Sequence, residues 1–233
     1  VGHSYSSFKF DNWTINSGPF TSNDVTTLNV ATIGSNGTST ETKNILISYF
    51  GRLQYDYDSR YLLSASIRRD GSSKFGANTK WGVFPAVSVG WRVSEESFLK
   101  SVDKISELKI RASWGVTGNN SAGDYASVGI LSSANYSFNG TVASGQVPNP
   151  ASFPNADLSW EESETLNIGL DLGIFNNRIF TSFDYYTKRN TDLLLLIPVP
   201  TASGYTAAFT NIGAVLNKGW ELELTTRNLV GTP

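Results

Sequence analysis

Apolar and polar residues alternate in segment after segment of this chain, and no other feature limits its fold so sharply. From Tyr49 one phase reads Tyr49, Gly51, Leu53, Tyr55, Tyr57 and the other Phe50, Arg52, Gln54, Asp56, Asp58. Tyr61, Leu63, Ala65 and Ile67 then stand against Leu62, Ser64, Ser66, Arg68 and Asp70. Val83, Val87, Val89 and Trp91 oppose Phe84, Ala86, Ser88, Gly90 and Arg92, and Leu108, Ile110, Ala112 and Trp114 oppose Lys109, Arg111 and Ser113. The second half repeats the pattern: Leu166, Ile168, Leu170 and Leu172 against Asn167, Gly169 and Asp171; Ile179, Thr181, Phe183 and Tyr185 against Phe180, Ser182 and Asp184; Trp220, Leu222 and Leu224 against Glu221 and Glu223. Successive strand side chains point to opposite faces, so each segment has one greasy face and one wet, partly charged face. Such a sheet either packs its greasy face on a core or turns it toward lipid.

Strand length and connector length favour lipid. Several runs reach about ten residues, the length of a tilted membrane strand, against about five or six in soluble proteins. A weaker first strand is expected over residues 1–10. Residues 58–60 and 175–177 read as minimal turns, whereas 11–43, 71–80, 118–157 and 191–210 read as long connectors rich in Gly, Asn, Ser and Thr. A medium connector from Ser94, SEESFLKSVDKIS, reads as a short helix. Sorting of short turns to one rim and long loops to the other is the habit of up-and-down membrane barrels. Aromatics gather toward strand ends, Tyr49, Tyr55, Tyr57 and Tyr61 near one turn and Trp81 and Trp91 at the two ends of one strand, as in the girdles of such barrels.

Composition excludes several functions. The chain of 233 residues is 39% hydrophobic and 16% charged, with a formal charge of -2 and no basic stripe for nucleic acid. It has no Cys, so neither a disulfide framework nor a thiol site is available. It has no Met and no apolar signal-peptide core at its start, which reads as a processed chain or an internal piece. No run is long enough for a membrane helix; LLLLIPVP at residues 193–200 is the longest and holds two prolines. There is no Ser/His/Asp set, no phosphate-cradling loop and no metal spacing, so neither an enzyme nor a cofactor is expected. Asp70-Gly71 reads as a turn ending a strand, Glu161, Glu162 and Glu164 as an acidic run rather than a glycosidase pair, and His3, the only histidine, as incidental.

SYFGRLQYDYDSRYLLSASIRRDGSSKFG (residues 48–76), WGVFPAVSVGWRVSEESFL (81–99) and LKIRASWGVTGNN (108–120) resemble the SusC/RagA family of TonB-dependent outer-membrane transporters. LSWEESETLNIGLDLGIFNNRIF (158–180), DYYTKRNTDLLL (184–195) and NIGAVLNKGWELEL (211–224) fit the same family in the same order, so the resemblance covers most of residues 45–228. It implies an all-β, antiparallel up-and-down sheet forming an arc of a large barrel, about 22-stranded. Residues 1–233 would be an internal fragment from the later part of that barrel, without the plug domain or the terminal strands. It further implies uptake of oligosaccharides or peptides across the bacterial outer membrane, energised through TonB by way of a plug or N-terminal segment, and a SusD-like surface lipoprotein as partner.

In a barrel, Arg52, Arg68, Arg92, Arg111, Asp171, Asp184, Glu221 and Glu223 face the lumen. The phase is strongly fixed, because an Arg facing lipid at mid-membrane costs about 2–4 kcal/mol. In the loop at residues 118–157, Tyr125, Tyr136 and Phe138 are candidates to stack on a ligand or contact a partner. The competing reading is a soluble β-sandwich that holds carbohydrate on its aromatics. The two differ in what meets the apolar phase: a second sheet, or one exposed band.

Overall fold

The computed structural model describes residues 1–16, Asp24 and residues 36–228, with the backbone alone at Asn36. Twelve strands follow in order among these residues: β1 (Gly2–Asn16), β2 (Asn36–Tyr57), β3 (Tyr61–Ser72), β4 (Trp81–Arg92), β5 (Ile105–Asn119), β6 (Leu131–Phe138), β7 (Thr141–Pro148), β8 (Glu161–Ile174), β9 (Ile179–Thr191), β10 (Leu194–Pro198), β11 (Ala207–Asn211) and β12 (Ala214–Thr226). Eight of them make one sheet in the order β1-β2-β3-β4-β5-β8-β9-β12, every pair antiparallel. The other four form two separate hairpins, β6 with β7 and β10 with β11. Each strand of the large sheet pairs with its neighbour in sequence, once the inserted hairpins are set aside, as short turns require.

Among the described residues no second sheet covers the apolar phase. The row Tyr57, Tyr61, Trp91, Ile110, Leu170, Phe183 and Leu222 runs straight across seven strands on one face, and Leu53 and Leu222 are each 63% exposed on that face. A soluble sandwich would bury this band; here the sheet is an open wall with an uncovered apolar side. The strands are long, 12 to 22 residues within the large sheet.

Several local expectations give way to tertiary pairing. The first strand is longer than the alternation predicts: β1 stays paired with β2 from Gly2↔Phe50 to Asn16↔Asn36, so residues 11–16 and 36–43 are strand and not connector. The middle of that connector lies outside the described residues. Thr38, Ser39, Thr40 and Thr42 give no apolar phase to read, yet β-branched residues sit well on a pleated ribbon that is solvated on both faces. Asp70-Gly71 is no turn. β3 continues through both to Ser72, and Asp70 is buried. The segment from Ser94 forms one 3-10 turn over Val93–Glu95 and then a chain of tight turns, with Leu99 and Lys100 N–H both donating to the Glu96 carbonyl. Ser94, Ser97 and Ser101 offer the backbone local alternatives to a helix.

The two minimal turns are where residues 58–60 and 175–177 put them. Asp58 and Ser59 both take positive φ, and so do Phe175, Asn176 and Asn177. That backbone twist suits a tight hairpin. The Asp56 carboxylate caps the first turn by accepting from the Ser59 N–H at 2.8 Å.

Among the described residues the buried hydrophobic cluster lies at the other rim, where the long loops meet the polar face of the wall. Phe75, Phe84, Ala122, Leu158 and Trp160 are buried there against Leu46, Val116, Leu194 and Phe209. The Trp160 ring stands 4.9 Å from Phe75 and 5.3 Å, edge-on, from Phe84, and its indole N–H donates to the Lys80 carbonyl at 3.1 Å. Phe84 crosses the backbone so closely that a Cβ at Gly118 would meet its ring at 2.1 Å.

Candidate functional site: the polar face and the long-loop rim

The alternation places the charged residues by register. Arg92, Lys109, Asp171, Ser182 and Glu223 form one cross-strand row, and Gly90, Arg111, Gly169, Asp184 and Glu221 form the next. Arg52 pairs with Ser66, and Arg68 lies between Phe50 and Phe84, in further rows of the same face. All eight residues expected to face a lumen therefore share the face opposite the apolar band.

Within the two charged rows an ion cluster forms. Arg111 Nη2 donates to Asp184 Oδ2 at 2.5 Å and to Ser182 Oγ at 3.0 Å, and its Nε donates to both oxygens of Asp171 at 3.2 Å. Lys109 adds a second cation 4.0 Å from Asp171. The guanidinium reaches Asp184 only because Gly169 lies between them: a Cβ there would sit 2.6 Å from Arg111 Cζ and 2.7 Å from Asp184 Oδ1. Glu221 stands directly across from Asp184 and Glu223 across from Ser182, so β12 adds a carboxylate to each charged row. A second cluster sits higher on the wall. Arg68 Nε donates to both Asp70 oxygens, at 2.8 and 2.6 Å, and its Nη2 donates to Ser48 Oγ at 2.8 Å. Ser48 and Asp70 are buried, and a hollow of about 420 Å³ between Arg68, Asp70, Phe84, Asn120 and Trp160 opens beside them.

The rim loops are tied to one another and to the wall. Asn211 receives the Ser159 N–H on its side-chain oxygen and donates from its amide to the Ser159 and Asp192 carbonyls. Asn155 donates to the Phe209 carbonyl, Thr206 N–H donates to the Pro150 carbonyl, and Phe153 meets Tyr205 edge-on at 5.0 Å. Sequence reasoning missed this cross-linking, because loop asparagines carry no periodic signal.

The three rim aromatics are not brought together. Tyr125, held at φ 62°, uses its hydroxyl to accept the Lys43 N–H at 3.1 Å, while its neighbour Asp124 accepts from the Asn44 amide and pairs with Lys74. It fastens the loop to β2. Tyr136 and Phe138 project from one face of the β6–β7 hairpin, 59% and 68% exposed. Among the described residues no group of His, Cys, Asp and Glu could hold a metal ion.

At the short-turn rim Glu96 gathers three donors: the Tyr61 hydroxyl at 2.7 Å, the Trp91 indole N–H at 3.1 Å and Arg60 Nη1 at 3.3 Å. The Tyr61 hydrogen bond, followed by those of Trp91 and Arg60, holds its carboxyl below the usual carboxylate range against the opposing effect of burial. Arg60 also pairs with Asp58, whose carboxyl it depresses in the same way. The cluster pins the segment after β4 to the turn between β2 and β3.

Comparison with known proteins agrees with this architecture. The family described as "TonB dependent receptor-like, beta-barrel" matches residues 1–231. TonB-dependent receptor P39 of Formosa agariphila is 42% identical over 206 residues, which cover 88% of this chain and 19% of that protein. TonB-dependent receptor SusC of Bacteroides thetaiotaomicron is 39% identical over 199 residues, covering 83% of this chain and 20% of its own length. The chain thus spans about a fifth of the curated relatives it matches. Among solved structures, the RagAB peptide importer in its closed-closed state superimposes with a TM-score of 0.82 at 28% identity, over 95% of this chain and 24% of that one. The siderophore receptor PirA of Acinetobacter baumannii, at 11% identity and a TM-score of 0.53, shares the fold alone. The family is one of receptors and transporters, not of enzymes, and its barrels imply the outer membrane. With its long antiparallel strands, uncovered apolar band and charged opposite face, this chain belongs to the TonB-dependent receptor family, as part of its β-barrel.

Proposed function

We infer that this chain is wall, lumen lining and outer loops of an importer that takes up oligosaccharides or peptides through the outer membrane. It would draw energy through TonB acting on a plug segment and work with a SusD-like surface lipoprotein at the long-loop rim. One observation carries the reading: the apolar band and the charged rows lie on opposite faces of a single open sheet, and only a lipid-to-water wall gives both faces a suitable solvent. The names of relatives support it, SusC on one side and a peptide importer on the other. Arg52, Arg68, Arg92, Arg111, Asp171, Asp184, Glu221 and Glu223 then line the water-filled or plugged interior. Tyr136 and Phe138 are the rim aromatics free to meet cargo or lid, since Tyr125 is engaged with β2.

The test is made in the full-length transporter. Tyr136→Ala and Phe138→Ala, together, are expected to leave surface abundance unchanged while lowering either uptake of labelled oligosaccharide or peptide pools or retention of the lipoprotein. Unchanged uptake and unchanged retention would remove the rim hairpin from function. Arg111→Ala, read alongside, reports on the interior separately.

A further inference from the structure

Charged residues interrupt the apolar phase at a few positions, among them Arg189 of β9 and Lys218 of β12, and one of these positions is Arg69. Arg69 lies on β3 between Tyr49 of β2 and Val83 of β4, in phase with Leu53, Ile67 and Val87, and it is exposed. A cation on that face is tolerated only near the headgroups, and the aromatic residues mark where those lie. Tyr57, Tyr61 and Trp91 share the row at the short-turn end, whereas Tyr49, Trp81 and His3 cluster at the other, with Tyr49 6.1 Å from Trp81 and 5.0 Å from His3. Tyr49 therefore belongs to the opposite girdle from Tyr57, not to the same turn. At about 3.3 Å per residue, Tyr61 to Arg69 spans about 26 Å of strand. Tilting reduces this to about 20 Å, close to the height of a barrel's apolar band. Arg69 sits with the upper girdle, at headgroup level.

Its side chain is held in place. The guanidinium carbon stands 4.8 Å from the Trp81 ring centroid. Trp81 in turn lies flat on Gly71, its cross-strand partner, where a Cβ would meet the ring at 2.9 Å. Among the described residues no carboxylate lies within ion-pairing distance of Arg69, in contrast to its neighbour Arg68 on the polar face, which is fully engaged by Asp70 and Ser48. A stacked guanidinium keeps its N–H fork free in the plane of the ring, and that fork matches the oxygens of a phosphate.

We propose that Arg69, seated on Trp81 beside Tyr49, binds the phosphate of an anionic lipid headgroup in the leaflet at the long-loop end. The proposal rests on reading the sheet as a membrane wall, and insertion of the full-length protein as a heat-modifiable barrel tests that reading by itself. The full-length transporter and its Arg69→Gln and Arg69→Lys variants would be placed in phosphatidylcholine nanodiscs. These discs would carry bisphosphorylated lipid A, the same lipid with its phosphates removed, or no addition with inorganic phosphate in the buffer. Thermal unfolding and lipid retained on native mass spectrometry are then measured. The wild-type protein should gain stability and retain lipid only with the phosphorylated form, the glutamine variant should lose that gain while matching wild type in plain discs, and the lysine variant should keep a reduced gain. An equal gain for Arg69→Gln, or an equal gain with dephosphorylated lipid, would overturn the site. A gain from inorganic phosphate alone would show a soluble-anion site and overturn the lipid assignment.

Discussion

Gly169 is a position where an added side chain should disturb the charged cluster, because the Arg111–Asp184 contact passes directly over it. Gly169→Val leaves the backbone ladder in place and pushes two side-chain ends apart. The expected loss is about 1 kcal/mol in the full-length barrel, the scale of a half-exposed ion pair with its hydrogen bonds. Urea unfolding of the detergent-solubilised protein reads it, and Gly169→Ala should fall between valine and wild type. Glu96 gives a pH signature instead of a fixed loss. Its folded carboxyl titrates below its ordinary value of 4.5, through the Tyr61, Trp91 and Arg60 hydrogen bonds. The stabilisation is therefore complete above that ordinary value and disappears as pH falls through the lowered one. Glu96→Gln should flatten the acid limb of a stability-against-pH curve below the ordinary carboxylate value of 4.5 and leave the neutral limb parallel. An unchanged acid limb would mean that other carboxylates control it.

Among the elements, the rim core is the part whose removal should be felt locally. Leu158 is fully buried beneath the loops, so Leu158→Ala is expected to cost about 2–5 kcal/mol of rim stability. It should expose residues 149–160 to protease while the strands stay protected from hydrogen exchange. The long strands and both minimal turns were legible in the sequence because period-two alternation and tight-turn residues act within a few positions. The β1–β2 extension was not, since a ribbon wetted on both faces has no phase. The rim was legible only as a set of long loops: the Ser159–Asn211 cross-link and the engagement of Tyr125 with Lys43 join residues 52 and 82 positions apart. The lumen set was readable as a face, by parity alone, whereas the Arg111–Asp171–Asp184 cluster needed the register of three strands.

For the whole molecule the two faces make opposite demands on the same substitution. Leu166→Arg, on the apolar face of β8 midway between the two aromatic rows, should destabilise the inserted barrel by about 2–4 kcal/mol. Asn167→Arg, nearby on β8 but on the charged face, should stay within about 0.5 kcal/mol. Folding titrations into lipid vesicles compare them directly, and equal effects would mean that the apolar row does not meet lipid. Expressed alone in water, the chain should associate through its open band and its two free edges, β1 and β12. Light scattering with and without detergent shows whether it does.

The wall is also uneven in height. β3 ends opposite Leu46, and from there to Asn36 strand β2 has, among the described strands, only β1 beside it. That ribbon stands about 33 Å clear of the sheet at about 3.3 Å per residue. At its foot it is gripped by Ser73 on Ile45, Asp124 on Asn44 and Tyr125 on Lys43. In mechanical terms it is a cantilever with a clamped root. From Lys43 to its far end is about 23 Å, so a rotation of about 10° at the clamp would carry the tip through about 4 Å. Whatever presses on loop 118–130 at the clamp is geared up at the tip.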